Sequence, residues 1–133
     1  MKSNNIFIRL SLSIFLGMSI FIALANAHGE HEKGPHGGVI RMPGAFHTEL
    51  LKTSNSEIKI YLLDIEFKNP VTENSKVSVY WYRGTKSKLL KCNTEKDYFK
   101  CNLPIALKLK DKIEIRANRQ GTEGDFAKYN YPF

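Results

Sequence analysis

Residues 57–63, EIKIYLL, and residues 76–83, KVSVYWYR, decide the fold of this chain. In both stretches apolar and polar side chains alternate, which is the two-residue period of a β-strand with one buried face. Residues 112–118 repeat the pattern. The alternation predicts a common core of nine inward-facing side chains: Ile58, Ile60, Leu62, Val77, Val79, Trp81, Ile113, Ile115 and Ala117.

Working outward from these stretches, the rest of the chain after residue 38 reads as short alternating runs separated by Gly, Pro, Asn, Asp and Ser. No stretch keeps a helical period. The predicted strands are 39–42, 45–53, 57–65, 76–83, 87–92, 98–103, 112–118 and 125–131. Seven or eight short strands indicate an all-β domain over residues 39–133, a single antiparallel β-sandwich of immunoglobulin-like type, with a small barrel as the alternative.

The first 27 residues are predicted to be a signal peptide. Lys2 and Arg9 precede an apolar run over residues 10–24, and Ala25-Asn26-Ala27 has the small-x-small pattern of a cleavage site. The run is shorter than the roughly 20 residues that a membrane span needs. We therefore expect cleavage after Ala27, or after Ala25, and a periplasmic or secreted protein with no membrane span; an uncleaved anchor is the alternative.

Length and charge limit the classes of function. The chain has 133 residues, room for one domain, and a formal net charge of +7. The charge favours anionic partners. The basic residues are mostly single lysines spread along the chain rather than clusters of Arg and Lys interleaved with aromatic residues, so we do not expect nucleic-acid binding.

The two cysteines flank a predicted hairpin of strands 87–92 and 98–103. Cys92 and Cys101 would face each other across adjacent antiparallel strands, and in an oxidising compartment such a pair forms a disulfide. The alternative is a thiolate pair that binds Cu(I) or Zn(II).

The four histidines carry the strongest functional signal. His28, His31, His36 and His47 all fall in one window of 20 residues. The first three lie in residues 28–38, HGEHEKGPHGG, which we predict to be a flexible His/Gly-rich lead-in because it has no apolar period. Imidazole is the commonest side-chain ligand for Cu(II), Zn(II) and Ni(II), so this composition favours a metal site. A solvated polar tail with His47 on a strand surface is the plainer interpretation.

Two metal sites follow from these residues. In the first, His47 and Glu49 lie two apart on one strand and share a face, while the turn at Pro43-Gly44 folds residues 35–38 back toward them. His36, His47 and Glu49 then supply three ligands for Cu(II) or Zn(II). In the second, cleavage makes His28 the N-terminal residue, and its amine and ring chelate Cu(II) with His31 or His36. Such chelation also occurs in copper-dependent oxidative enzymes, but a glycine-rich lead-in does not preorganise a catalytic metal, so we predict no enzymatic activity.

At these residues the chain resembles a known group of proteins. The segments GPHGGV (34–39) and AFHTEL (45–50) are similar to the GPHGG…HxEL signature of small exported heavy-metal-associated β domains, related to the N-terminal segment of periplasmic metal-efflux adaptor proteins. Residues 113–117 and 121–126 resemble the closing strands of those domains. The resemblance implies an all-β sandwich and a binding role for His36, His47 and Glu49. The chain departs from the pattern in its cysteine pair and in lacking a pump-docking hairpin or lipoyl-like segment.

Together these features predict a binding protein for a divalent transition metal, copper or zinc, that buffers or delivers the ion in the cell envelope. Its partners would be the metal ion and a metal-efflux or metal-trafficking protein of the envelope. The alternative is a non-metal envelope interaction domain whose basic surface binds anionic lipid or polysaccharide.

Overall fold

The protein is an all-β sandwich of two antiparallel sheets. A computed structural model describes residues 33–133. The first sheet has the strand order β1-β2-β3-β7-β6 and the second the order β10-β8-β4-β5, with β9 paired to β8. The strands are β1 Val39–Arg41, β2 His47–Lys52, β3 Glu57–Leu63, β4 Lys76–Arg83, β5 Lys86–Leu89, β6 Cys92–Thr94, β7 Phe99–Asn102, β8 Lys112–Arg119, β9 Thr122–Glu123 and β10 Ala127–Asn130.

The strand order confirms the predicted sandwich. The run β2-β3-β7-β6 facing β10-β8-β4-β5 reproduces the order of an immunoglobulin-type sandwich, in which the sheet ABED packs against GFC with one added strand. β1 is an extra strand at the edge of the first sheet. Ten strands occur in the described residues, where the sequence predicted seven or eight, because two of the additional ones are only two and three residues long.

The core between the sheets consists of the side chains that alternation assigned to it. Eight of the nine predicted residues belong to one buried cluster, and the ninth, Val77, is partly buried against it. Other members of this core include Leu50 of β2, Phe46 immediately before β2, and Tyr129 of β10. Tyr129 also joins the sheets, because its hydroxyl donates to the carbonyl oxygen of Thr48 at 2.9 Å.

The predicted strand 87–92 is wrong as a single element. β5 pairs with β4 in the second sheet, whereas Cys92–Thr94 pairs with β7 in the first sheet. Between them Leu90 turns into the core, and its N–H donates to Val79 O at 2.8 Å. The two consecutive leucines, Leu89 outside and Leu90 inside, mark the point where the chain crosses between sheets.

The predicted facing of the two cysteines is confirmed. Cys92 of β6 and Cys101 of β7 are register partners with Cα atoms 4.0 Å apart, and their sulfur atoms are bonded. The hairpin that carries them is shorter than predicted, since its first strand begins at Cys92. The disulfide therefore ties β6, an edge strand, to the buried strand β7.

The predicted signal peptide and most of the lead-in, including His28 and His31, lie outside the described residues. Within residues 33–133, no helix is long and apolar enough to cross a membrane. The fold thus bears directly on the first of the two predicted metal sites, which belongs to residues 36–49.

Candidate functional site

Residues 34–38 form a tight loop over the outer face of the first sheet. Gly37 N–H donates to Gly34 O at 2.9 Å, and Gly34 N–H donates to Gly38 O at 2.7 Å. Lys33 pairs with Val39 in an isolated antiparallel β-bridge. Residues 34–38 are therefore anchored, although the sequence predicted a flexible lead-in over residues 28–38. The anchor is the Glu49 carboxylate on the neighbouring strand β2.

Glu49 holds the loop in place from beneath. Its carboxylate is fully buried on β2, on the face opposite the main core, between Ile40 of β1 and Tyr61 of β3. Oε1 accepts the main-chain N–H groups of His36 and Gly38, both at 2.9 Å. Oε2 lies 2.8 Å from His36 Nδ1. A buried charge of this kind is tolerated because hydrogen bonds replace its hydration.

The loop needs glycine at three places, for two different reasons. A Cβ on Gly38 would lie 2.5 Å from Leu50 O, and one on Gly34 would overlap the Glu49 carboxyl group. Gly37 has open space around it but a φ of +87°, which L side chains rarely adopt. The GPHGG segment is thus a loop that lies close to a buried carboxylate. Only glycines at these positions allow so close an approach.

His36 is held from two sides. Its ring stacks on Tyr61 with centroids 3.7 Å apart and planes 2° apart, while Nδ1 contacts Glu49. The side chain keeps 31% of its surface exposed. Burial raises the pKa of Tyr61, which keeps that phenol neutral beneath the imidazole. Among the described residues nothing hydrogen bonds to the second ring nitrogen, Nε2.

His47 has the same type of support from a different loop. It lies on β2 two residues before Glu49 and is 7% exposed. Its Nδ1 is 3.0 Å from Asp64 O, and its ring stacks on Phe67 at 4.1 Å. The Asp64 carboxylate shapes this loop by accepting the N–H groups of Lys68 at 2.8 Å and Glu66 at 3.1 Å. The bond from Lys68 is the main cause of the lowered pKa of Asp64.

These contacts fix the tautomer of both rings. A carbonyl oxygen only accepts, so His47 Nδ1 carries the proton, and the Glu49 carboxylate, whose other oxygen accepts two main-chain N–H groups, assigns the proton of His36 to Nδ1 in the same way. In the neutral imidazole the lone pair is then on Nε2. No buried side-chain nitrogen or oxygen in residues 33–133 lacks a partner, so the unbonded Nε2 of His47 also reaches the surface.

The structure brings part of the predicted ligand set together. His36 and Glu49 are in contact, and His47 shares the face of β2 with Glu49, as the alternation predicted. His47 turns toward Asp64 rather than toward Glu49. Within residues 33–133, no group of three or more His, Cys, Asp or Glu side chains is arranged to hold a metal ion.

Sequence reasoning missed three residues that shape the site. Tyr61 was not among the predicted site residues, although it is the surface on which His36 stacks. Asp64 was placed inside a strand predicted to reach residue 65, but β3 ends at Leu63 because the Asp64 carboxylate caps the following turn. Phe67 adopts a φ of 62° in that turn. The sequence does contain a turn signal at Asp64, because an aspartate side chain tends to accept the main-chain N–H two residues on, and Asn69-Pro70 follows.

Comparison of the chain with known proteins found no match among family models, curated proteins or solved structures. The resemblance to exported heavy-metal-associated domains therefore rests on the segments 34–39, 45–50, 113–117 and 121–126 alone. In the first two segments the geometry gives six positions a physical role: two glycines for close approach, one for its backbone, a glutamate to bind the loop and two oriented imidazoles.

Proposed function

We propose that this protein binds a divalent transition metal, copper or zinc, through the Nε2 atoms of His36 and His47. It would buffer the ion in the periplasm or outside the cell, or deliver it to a metal-efflux or metal-trafficking partner. The proposal is supported by the contacts that orient the two imidazoles on the outer face of the first sheet.

The observation that carries the proposal is the hydrogen bond that the Nδ1 atom of each imidazole makes, on the side of the ring away from Nε2. Histidines that ligate metals almost always donate their other ring N–H to a carboxylate or a carbonyl group, which fixes the tautomer and the ring direction. His36 donates to the Glu49 carboxylate and His47 to the Asp64 carbonyl oxygen. An isolated surface histidine has no need of such a bond.

Glu49 takes a different role from the one expected of it. Both of its oxygens are used by the loop, and none of its side chain is exposed. We therefore assign it as the positioning residue of His36 rather than as a ligand. A buried carboxylate behind a ligating imidazole also raises the basicity of the ring nitrogen that faces the metal.

Two histidines leave coordination positions open, since Zn(II) and Cu(II) take four or more ligands. Water would fill these positions in the resting state, and His28 and His31, which lie outside the described residues, are the further imidazoles that the sequence offers as ligands. A site with exchangeable ligands suits transfer of the ion to a partner.

The test is nuclear magnetic resonance of the ring nitrogens in the purified, untagged protein. We expect both His36 and His47 to show a protonated Nδ1 without metal, and Zn(II) to shift their Nε2 resonances at one equivalent. The control is the variant His28→Ala/His31→Ala, in which these shifts should persist at higher zinc concentration. Unchanged Nε2 resonances of His36 and His47 at saturating zinc would disprove the proposal.

A further inference from the structure

A second surface of the protein combines exposed aliphatic side chains with unpaired lysines. It consists of the loop 104–110 and the adjoining ends of β5 and β8, and we call it the Leu109 surface. Its members are Ile105, Leu109, Lys86, Lys108, Lys110 and Lys112. None of them belongs to the strands or loops that carry His36 and His47.

Contacts show that these segments form one surface. Arg83, at the end of β4, is the register partner of Lys86 and donates through Nη2 to Ala106 O at 2.8 Å. An open hollow of about 500 Å³ is lined by Leu109, Lys110 and Lys112 together with Arg83. The β4–β5 turn, the loop and the start of β8 therefore meet.

Hydrogen bonds and a buried side chain hold this loop against the sandwich, and they leave Leu109 exposed. The Asp111 carboxylate accepts Lys108 N–H at 2.9 Å, Arg83 Nε–H at 2.8 Å and Trp81 Nε1–H at 3.3 Å. Leu107 is buried in the main core. With Leu107 directed inward, Leu109 is 73% exposed, more than any other large apolar side chain of residues 33–133.

The charge around Leu109 is strongly positive. Lys86, Lys108, Lys110 and Lys112 are all exposed, and in the described part of the chain none of them forms an ion pair. The nearest acid on the loop, Asp111, is already bound by Arg83 at 2.6 Å. Glu114 is the one other acidic residue lining the hollow.

We propose that the Leu109 surface docks the protein onto an anionic lipid bilayer. Leu109 and Ile105, the two exposed apolar side chains of this loop, would enter the interface between headgroups and acyl chains, and the lysines would contact the headgroup phosphates. Aliphatic side chains ringed by lysines are the chemistry of interfacial membrane binding. A polysaccharide or a nucleic acid would instead call for exposed aromatic rings and free arginine. Tyr82 and Arg83 line the hollow, but both are half-buried and Arg83 is bound to Asp111, so the exposed groups are aliphatic side chains and lysines.

The test is sedimentation with vesicles of phosphatidylcholine alone and of an equal mixture of phosphatidylcholine and phosphatidylglycerol. We expect the protein to bind the mixed vesicles only, and binding to weaken with added salt. The variant Leu109→Ser/Lys108→Gln/Lys110→Gln should bind at least roughly 30-fold more weakly, since each lysine near an anionic surface contributes about fivefold. Its circular dichroism spectrum should match that of the wild type.

The matched control is Met42→Ser/Lys76→Gln/Lys128→Gln, which removes one exposed apolar side chain and two exposed lysines elsewhere. It should bind as the wild type does. An equal loss in both variants would overturn the proposal, because it would reflect net charge alone. No binding to the mixed vesicles, or tight binding to soluble heparin that Leu109→Ser leaves unchanged, would also overturn it.

Discussion

At the residue scale, Glu49 is the group on which the candidate site depends. One buried carboxylate accepts two main-chain N–H groups and bonds to one imidazole, whereas the stacking on Tyr61 fixes only the plane of that ring. Replacing it therefore acts on the loop and on the ring at once. The two effects are separable, because glutamine keeps the shape and the Oε1 acceptor but exchanges an acceptor for a donor at the second position.

The first prediction concerns the tautomer of His36. In Glu49→Gln the side-chain amide places N–H groups opposite His36 Nδ1, so this nitrogen must accept and the proton moves to Nε2. We expect zinc affinity to fall by roughly 10- to 100-fold, the usual effect of losing the residue behind a ligating histidine. Calorimetric titration measures the affinity, and ring-nitrogen resonances report the tautomer. Unchanged affinity with an inverted tautomer would show that His36 does not bind the metal.

The second prediction separates crowding from backbone strain in the loop. Gly34→Ala places a methyl group on the Glu49 carboxyl group, and we expect it to lower the free energy of unfolding by roughly 2 kcal/mol. Gly37→Ala meets no atom within 4 Å but keeps a φ of +87°, so it should cost about 1 kcal/mol. Urea denaturation of both variants checks the order; a larger cost at residue 37 would contradict the loop geometry.

The third prediction concerns acid stability. The guanidinium of Arg83 and further hydrogen bonds lower the pKa of Asp111 to about 2, from 3.8. As pH falls, the unfolded chain takes up this proton first, so the contribution is complete above about pH 4 and is lost as pH falls toward 2. It amounts to roughly 2 kcal/mol at neutral pH. Between pH 6 and pH 2 the stability gap between wild type and Asp111→Asn should close, as urea denaturation across that range would show; a constant gap would contradict the assignment.

At the scale of elements, the disulfide joins an edge strand to a buried one. The fourth prediction is that Cys92→Ala/Cys101→Ala lowers the free energy of unfolding by about 2 to 3 kcal/mol, because the unfolded chain regains the freedom of a short closed loop. The wild type under reducing conditions is the control and should lose a similar amount. Equal stability of the oxidised and reduced wild type would show that the bond contributes nothing.

A strand in which apolar and polar residues alternate along its whole length could be predicted from the sequence. A strand end that depends on contacts with other segments could not. The predicted strand over residues 76–83 is β4 to the residue, since both of its faces follow the two-residue period. Residues 87–92 were wrongly predicted as one strand. The chain crosses between the sheets within them, and the position of the crossing depends on which of Leu89 and Leu90 is buried in the core. The end of β3 depends on a side-chain cap, which propensity does not report.

The candidate site could be predicted in composition but not in arrangement. Alternation correctly placed His47 and Glu49 on one face of β2. It could not show that Glu49 would be buried beneath the loop or that His47 would bond to Asp64, because both depend on loops that fold over the outer face of the sheet. Residue types indicate which groups bind metals, whereas loop packing decides which atoms they present.

At the scale of the whole molecule, the two proposed surfaces use different sheets. His36 and His47 lie on the outer face of the sheet that contains β2, and the Leu109 surface belongs to segments joined to β4, β5 and β8. Both surfaces are carried by one sandwich with a buried core, and no movement of the sandwich is needed to form either of them. Binding at one surface should therefore not change binding at the other. The fifth prediction is that Leu109→Ser leaves zinc affinity unchanged, which calorimetric titration checks; a loss of affinity would indicate that the two surfaces communicate.

The measurement that tests the central claim most directly is thermal unfolding of the purified, untagged protein with and without Zn(II) or Cu(II). It is compared with His36→Ala/His47→Ala and with His28→Ala/His31→Ala, each referred to its own metal-free melting temperature. Only an ion bound to the folded form raises that temperature. The account predicts an increase for the wild type, a smaller increase for His28→Ala/His31→Ala and none for His36→Ala/His47→Ala. An increase of the same size in all three proteins, or no increase in the wild type, would contradict it.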